Sequence, residues 1–221
     1  MKNEIQIGNC KLDKENGTIT GEFVTHEGES FYKIAYYDKM DPFFMTIVSN
    51  SDHWMFISSN GGLSAGRKNP DNALFPYYTV DKIQDLSEYS GSKTVLIIQK
   101  ENQNFLWEPF SDNYTGIYKI QRNIYKSIYG NKILFEEINE DLGVTFSYKW
   151  MNSEKFGFIK KSYITNQLNT TVKISILDGI QNILPAGINS DLQLGFSNLV
   201  DAYKKSELVT NTNIGLYMLS S

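Results

Sequence analysis

The chain has 221 residues, and its mass of 25.3 kDa fits one large domain or two small ones. A formal net charge of −4, with basic residues no more clustered than the pairs Lys160-Lys161 and Lys204-Lys205, argues against a nucleic-acid partner. Cys10 is the single cysteine and His26 and His53 are the two histidines, which excludes an internal disulfide framework and disfavours a zinc site, so neither metal nor cofactor is expected.

Hydrophobic residues make up 41% of the chain, enough for a sizeable core, and the 14% aromatic content leans towards strands, because flat rings suit a pleated, half-buried surface. The start, Met1 to Ile5, has no basic-then-apolar leader. No apolar run approaches the ~18 residues needed to cross a bilayer, so a cytoplasmic protein without membrane contact is expected.

Strand signals dominate in chain order. Ile5 and Ile7 alternate towards Leu12, and Asn16-Gly17 is a hairpin signal leading to a return strand over 18–24. His26-Glu27-Gly28 is the next turn, followed by a strand over 30–37. Residues 43–48 and 54–58 read as two short buried strands. They open into Asn60-Gly61-Gly62-Leu63-Ser64-Ala65-Gly66-Arg67, a run whose glycines, with Pro70-Asp71 beyond it, predict a loop through Asn72 that closes on 74–78. Further strands are predicted over 94–99, 105–107, 116–126, 131–136, 144–150, 157–164 and 172–179, with turns every ~8–12 residues as in an antiparallel sandwich or barrel. One helix is expected from Ser190 to Lys205: Asn189 or Ser190 can cap it, Leu192, Phe196, Leu199, Val200 and Tyr203 form one stripe, and Lys204 and Lys205 suit its last turn. Strand character returns at 207–210 and 214–219. The ending Leu216-Tyr217-Met218-Leu219, with two serines beyond it, reads as an interrupted chain.

The fold class expected is therefore all-β: a large antiparallel sandwich over 1–221 with one short helix near the C-terminus. The block from Trp54 to Arg67 resembles the N-terminal β-supersandwich domain of cellobiose- and chitobiose-phosphorylase-type enzymes, in which a strand opens into a Ser-Asn-x-Gly-Gly loop containing an arginine. Residues 162–174 look like that family's strand, Asn-rich turn and returning strand, Phe105 to Phe110 like its aromatic-acid-Pro segment, and 190–205 like its short helix. The likeness spans roughly residues 40–215 and departs from the family over 68–78, where the usual Arg-rich continuation is replaced.

The resemblance implies a galactose-mutarotase-like supersandwich, the N-terminal part of a longer glycoside phosphorylase- or hydrolase-like protein. A C-terminal (α/α) barrel would carry the catalytic acid, the sandwich would support it and a homodimer, and the Gly-rich loop would reach a carbohydrate site. Glycosidic cleavage needs a positioned carboxylic acid and a base or nucleophile. Asp52, Asp71, Asp81, Asp85 and Glu108 form no motif that sets any of them apart, so no catalytic residue is assigned. The candidate ligand-binding residues are Trp54, Asn60, Gly61, Gly62, Arg67, Tyr77 and Tyr78: glycines that let backbone N–H groups approach a ligand, an arginine for an anionic group, and rings for a sugar face. Trp107 and Trp150 read as core residues, His53 as a hydrogen-bonded structural imidazole and Cys10 as a small buried hydrophobe. Two other readings stay open, a stand-alone carbohydrate-binding module and a mutarotase-like epimerase that would need His26 or His53 beside a carboxylate.

Overall fold

The computed structural model describes residues 6–7, 10–11, 17–100 and 102–220. The hairpin expected through Asn16-Gly17 and the environment of Cys10 lie outside the described residues. At the start, β1 (Gln6–Ile7) pairs with β2 (Cys10–Lys11). β3 (Thr20–His26) and β4 (Glu29–Ala35) form a hairpin closed by Glu27 and Gly28, both at positive φ, the geometry that matches strand twist. β5 (Phe44–Ile47), β6 (His53–Ser58), β7 (Leu63–Arg67) and β8 (Ala73–Phe75) follow as a meander, then α1 (Val80–Asp85). β9 (Gly91–Lys100) and β10 (Gln103–Trp107) form the next hairpin. β11 (Ile120–Ser127), β12 (Lys132–Asn139), β13 (Val144–Ser153) and β14 (Gly157–Asn166) run up and down, and β15 (Lys173–Gln181) returns to pair with β9. α2 (Ser190–Gly195), α3 (Ser197–Ala202), β16 (Lys204–Leu208) and β17 (Gly215–Leu219) complete the chain.

All pairings are antiparallel. One layer is the six-stranded sheet β14-β13-β12-β11-β4-β3; the other combines β5-β6-β7-β8 with β10-β9-β15. One cluster of buried side chains draws on all three sheets: Phe135, Tyr148 and Trp150 from the first, Ile57 and Phe75 from the second, Leu96 and Ile98 from the third. The chain is thus the all-β sandwich that its alternation and turn spacing imply. Packing within the core is specific, with Phe135 and Tyr148 stacked across adjacent strands at 4.9 Å and Phe110 edge-on to Tyr148 at 5.1 Å. Each fully buried side chain of this size contributes about 1.5–3 kcal/mol. Trp107 and Trp150 are core residues, as expected.

Three elements differ from expectation. The run after Asn60 is no wide loop: Ser58 accepts from Gly61 N–H in a tight turn, and residues 63–67 form β7. Its glycines serve close packing. A Cβ on Gly62 would strike the Ile83 carbonyl oxygen of α1, and one on Gly66 would lie 2.5 Å from the Trp54 ring and 2.6 Å from the Asn72 carbonyl oxygen. The C-terminal helix is capped as foreseen, by the Asn189 side chain accepting from Leu192 N–H at 2.9 Å, but it breaks at Phe196 into α2 and α3. Of the proposed stripe, Val200 is buried while Phe196, Leu199 and Tyr203 are exposed. Lys204 and Lys205 open β16 because residues 204–208 find a complete backbone partner in 215–219, which outweighs their helical periodicity. Finally, α1 was signalled by Thr79 ahead of Asp81 and the buried Ile83, a helix start too short to show a period.

Candidate functional site

The residues expected to bind a ligand fall at opposite ends of the β6–β7 hairpin. Gly62 and Arg67 are separated by the length of β7, about 17 Å at ~3.4 Å per residue. The predicted site is therefore divided.

At the turn end, Asn60 Nδ2 donates to the Gln84 carbonyl at 2.7 Å and its Oδ1 accepts from Gly62 N–H at 3.4 Å. Asn60, Gly61 and Gly62 are thus occupied in seating α1 against the hairpin. The crevice beside Gly61, bounded by Tyr148, Lys93 and Phe110, holds about 20 Å³, room for one water and not for a sugar. Tyr78 is half-buried and lies on the chain leading into α1.

The other end opens into a cleft of about 620 Å³, within the roughly 300–1,000 Å³ common for small-molecule sites. One wall is the β7–β8 connection with Arg67, Lys68 and Asp71; the second is the β13–β14 turn with Glu154, Lys155 and Phe156; the third is the segment from Leu184 to Ile188. Trp54 stands behind it: opposite Gly66 in the ladder, it packs on Ala73, Leu184 and Ile188, which also line the cleft. Tyr77, 46% exposed, meets the Trp54 ring edge-on at 5.8 Å, and Phe56 and Phe44 continue the aromatic row along the outer face of the sheet. Of the seven predicted residues, Arg67 lines this cleft; Trp54 packs behind residues that line it, Tyr77 packs on Trp54, and Asn60, Gly61, Gly62 and Tyr78 lie elsewhere.

Charges in the cleft are held by the frame. Arg67 NH2 donates to Asp52 Oδ1 at 3.3 Å and stays mostly exposed. Asp52 is kept below the usual carboxylate range: desolvation opposes its charge, but the hydrogen bond and the attraction of Arg67, with smaller help from its own backbone and Lys68, together outweigh it. Asp71 accepts from Ser190 Oγ at 2.5 Å and Ser190 N–H at 3.0 Å, which lowers its pKa and ties α2 to the cleft wall. An ionised Asp71 cannot serve as the proton donor in glycosidic cleavage. Lys155 Nζ lies 5.2 Å from the centre of the Phe156 ring, which stands 72% exposed at the mouth.

His53 is the residue that sequence reasoning left outside the site. It is 8% exposed, its Nδ1 shares a hydrogen bond with Ser51 Oγ, and its ring meets Phe158 edge-on at 5.1 Å, so it is the anchored structural imidazole expected. It also lines the cleft, with Nε2 3.6 Å from where a Cβ on Gly157 would lie. The second wall was missed altogether. Phe156 in an exposed turn carries no local sign that it will line the same cleft as Arg67. Among the described residues, no group of three or more His, Cys, Asp or Glu side chains is placed to hold a metal ion, and no helix is long and apolar enough to cross a membrane.

A separate buried network fixes the 107–112 segment. Glu137 accepts from Trp107 Nε1, Phe110 N–H and Arg122 Nε, each at 2.8 Å. Arg122 also donates to Asp112 Oδ1 at 2.6 Å and to the Ser111 carbonyl at 3.0 Å. Every polar arm is matched within the protein, so this cluster is structural. The chain matches no family model and no curated protein.

Proposed function

We infer that this chain is a non-catalytic, carbohydrate-binding β-sandwich module of a cytoplasmic protein, akin to the N-terminal supersandwich of glycoside phosphorylase-type enzymes. In that role it would support an (α/α) barrel of the same parent protein. The observation that carries the reading is the cleft lined by Arg67 and the exposed Phe156 ring. A ring face and a guanidinium are what a sugar with a polar rim needs, while Asp71, held ionised by Ser190, is no proton donor for glycosidic cleavage. The site lies on the β7–β8 connection and the β13–β14 turn, not on the Gly-rich turn that the family likeness singles out.

The test is a titration of the ¹⁵N-labelled chain with cellobiose and with N,N′-diacetylchitobiose. Shifts confined to Arg67, Tyr77, Phe156 and Leu184 to Ile188, saturating on the order of millimolar, are the expected result for a shared site. No shifts at 50-fold molar excess or beyond (about the range where a millimolar site fills) would remove the carbohydrate reading. Sub-millimolar binding would favour a stand-alone binding module over a shared site.

A mutarotase-like epimerase is the second reading, favoured by one observation: His53 lines the same cleft as Glu154 and Asp71. Polarimetry on freshly dissolved sugar anomers separates it, since a rate that is unchanged by His53→Gln rejects it.

A further inference from the structure

The inward-facing rows of the β6–β7 hairpin end at the cleft on two nitrogen-bearing side chains. His53 and Arg67 are directly opposed in the ladder, next after Ile57↔Leu63 and Met55↔Ala65, whose side chains lie in the core. Opposed residues of an antiparallel pair project to the same face with Cβ atoms ~4.5–5.5 Å apart. The imidazole and the guanidinium therefore emerge side by side where the two layers part, and both line the cleft. Each keeps donors or acceptors for a ligand. His53 is 8% exposed, its ring is set by Phe158 and its Nδ1 is tied to Ser51 Oγ, but among the described residues its Nε2 makes no hydrogen bond. The nearest wall to that nitrogen is Gly157, itself a lining residue, which has no side chain to cover it. Arg67 is 61% exposed and, among the described residues, gives one hydrogen bond of its five N–H donors, to Asp52. Lys68 and Lys155 also line the cleft, and of the two carboxylates there, Asp71 and Glu154, Asp71 is turned to Ser190. In a chain of net charge −4, this cleft thus carries three cations against two anions.

We propose that the cleft takes an acidic saccharide, with the carboxylate of a uronic acid held between Arg67 and His53. One carboxylate oxygen accepts from the guanidinium and the other from His53 Nε2–H, and the sugar body lies towards the exposed Phe156 ring. Two adjacent donors, one of them on a buried ring, suit a flat anion with two acceptor oxygens. A neutral sugar hydroxyl gains less from the same pair, because hydrogen bonds to ionised acceptors are about twice as strong. The assignment also fixes the tautomer of His53. Its proton sits on Nε2, so the Ser51 hydroxyl donates to Nδ1, and Ser51 Oγ is held in turn by Ser49 Oγ at 2.8 Å. Ser51 is then a positioning residue for the imidazole. The imidazolium presents the same Nε2–H, so either protonation state serves. The inference rests on the carbohydrate reading of this cleft and adds the charge of its ligand.

Titration of the ¹⁵N-labelled full chain with methyl β-D-glucuronide and methyl β-D-glucoside, which differ only at C6, tests it, with glucose 1-phosphate as a third probe. The glucuronide should bind at least about tenfold more tightly than the glucoside, as one charge-assisted hydrogen bond allows. Arg67→Gln, at a mostly exposed side chain, should remove that preference without unfolding the chain. His53→Met should weaken glucuronide binding about tenfold, whereas His53→Gln, whose amide N–H can stand in for Nε2–H, should keep most of it. With glucuronide bound, a long-range ¹H–¹⁵N imidazole spectrum at about pH 8.5, above the ordinary imidazole range, should show the proton on Nε2, and Ser51→Ala should mix the tautomers. Equal affinity for glucuronide and glucoside overturns this proposal and leaves the carbohydrate reading standing, while no response to any of the three probes removes both. A preference for glucose 1-phosphate over the glucuronide, a preference that Arg67→Gln leaves intact, or a proton on Nδ1 also overturns the carboxylate site.

Discussion

Replacing Arg122 with Met tests whether the buried network, rather than apolar packing alone, holds the 107–112 segment on the six-stranded sheet. Glu137 is 2% exposed and takes three donors, one of them Arg122. The Met side chain fills much of the arginine's volume, but it leaves Glu137 as a buried carboxylate with two neutral donors, and Asp112 and the Ser111 carbonyl without their partner. Burial by itself opposes the guanidinium charge, yet the attraction of Glu137 and Asp112 raises the Arg122 pKa, so the buried arginine stays a cation. Breaking such a pair costs about 3–5 kcal/mol. For a chain of this size each kcal/mol moves the thermal midpoint by about 2–4 °C, so the expected loss is roughly 6–20 °C.

Urea unfolding followed by tryptophan fluorescence is the assay, and Trp107 reports directly because its Nε1 donates to Glu137. The double variant Arg122→Met/Glu137→Gln removes the orphaned charge while keeping an acceptor for Trp107, and it should recover about 1–2 kcal/mol of the loss. A cost below about 1 kcal/mol for Arg122→Met, or a double variant no more stable than the single one, would refute the reasoning.

Two further outcomes follow from contacts elsewhere. Gly62→Ala drives a methyl group into the Ile83 carbonyl of α1 and should cost about 1–3 kcal/mol, whereas Gly195→Ala, with nothing within 4 Å, should be neutral or slightly stabilising. Equal unfolding midpoints for the two would contradict the packing role of Gly62. Glu27 has its pKa lowered from 4.5 to about 2, first by the hydrogen bond from Lys149, against desolvation and with help from Tyr163 and Lys161. Because the folded value is depressed, its contribution to stability is complete above pH 4.5 and fades as the pH falls towards 2. Carboxyl NMR should find Glu27 titrating near 2 in the parent chain and moving back towards 4.5 in Lys149→Met; an unmoved value would show that Lys149 is not the cause.

The fold class was legible because alternation is a property of consecutive residues. Strands such as Val144–Ser153 and Lys132–Asn139 put Val144, Phe146, Tyr148 and Trp150 or Ile133 and Phe135 on one face, and a period of two with turns between is visible without any partner. The turn at Glu27-Gly28 and the cap at Asn189 were readable for the same reason, since both are settled by a few neighbouring residues. Glycine was ambiguous: Gly62 and Gly66 read locally as loop residues, and only the approach of α1 and Trp54 shows that they are small because something lies against them.

The site depended on contacts that no local signal carries. Arg67 and Phe156 are far apart in sequence and line one cleft because the β13–β14 turn of one layer and the β7–β8 connection of the other border it together. The Gly-rich turn and Arg67, close in sequence, are set apart by the rigid length of β7. The sequence by itself thus determined which faces are apolar and where the chain reverses, both functions of short-range order. Which strand lies beside which, which edge stays open and which loops share a cleft were decided by the tertiary structure, because each depends on how two sheets find a common core.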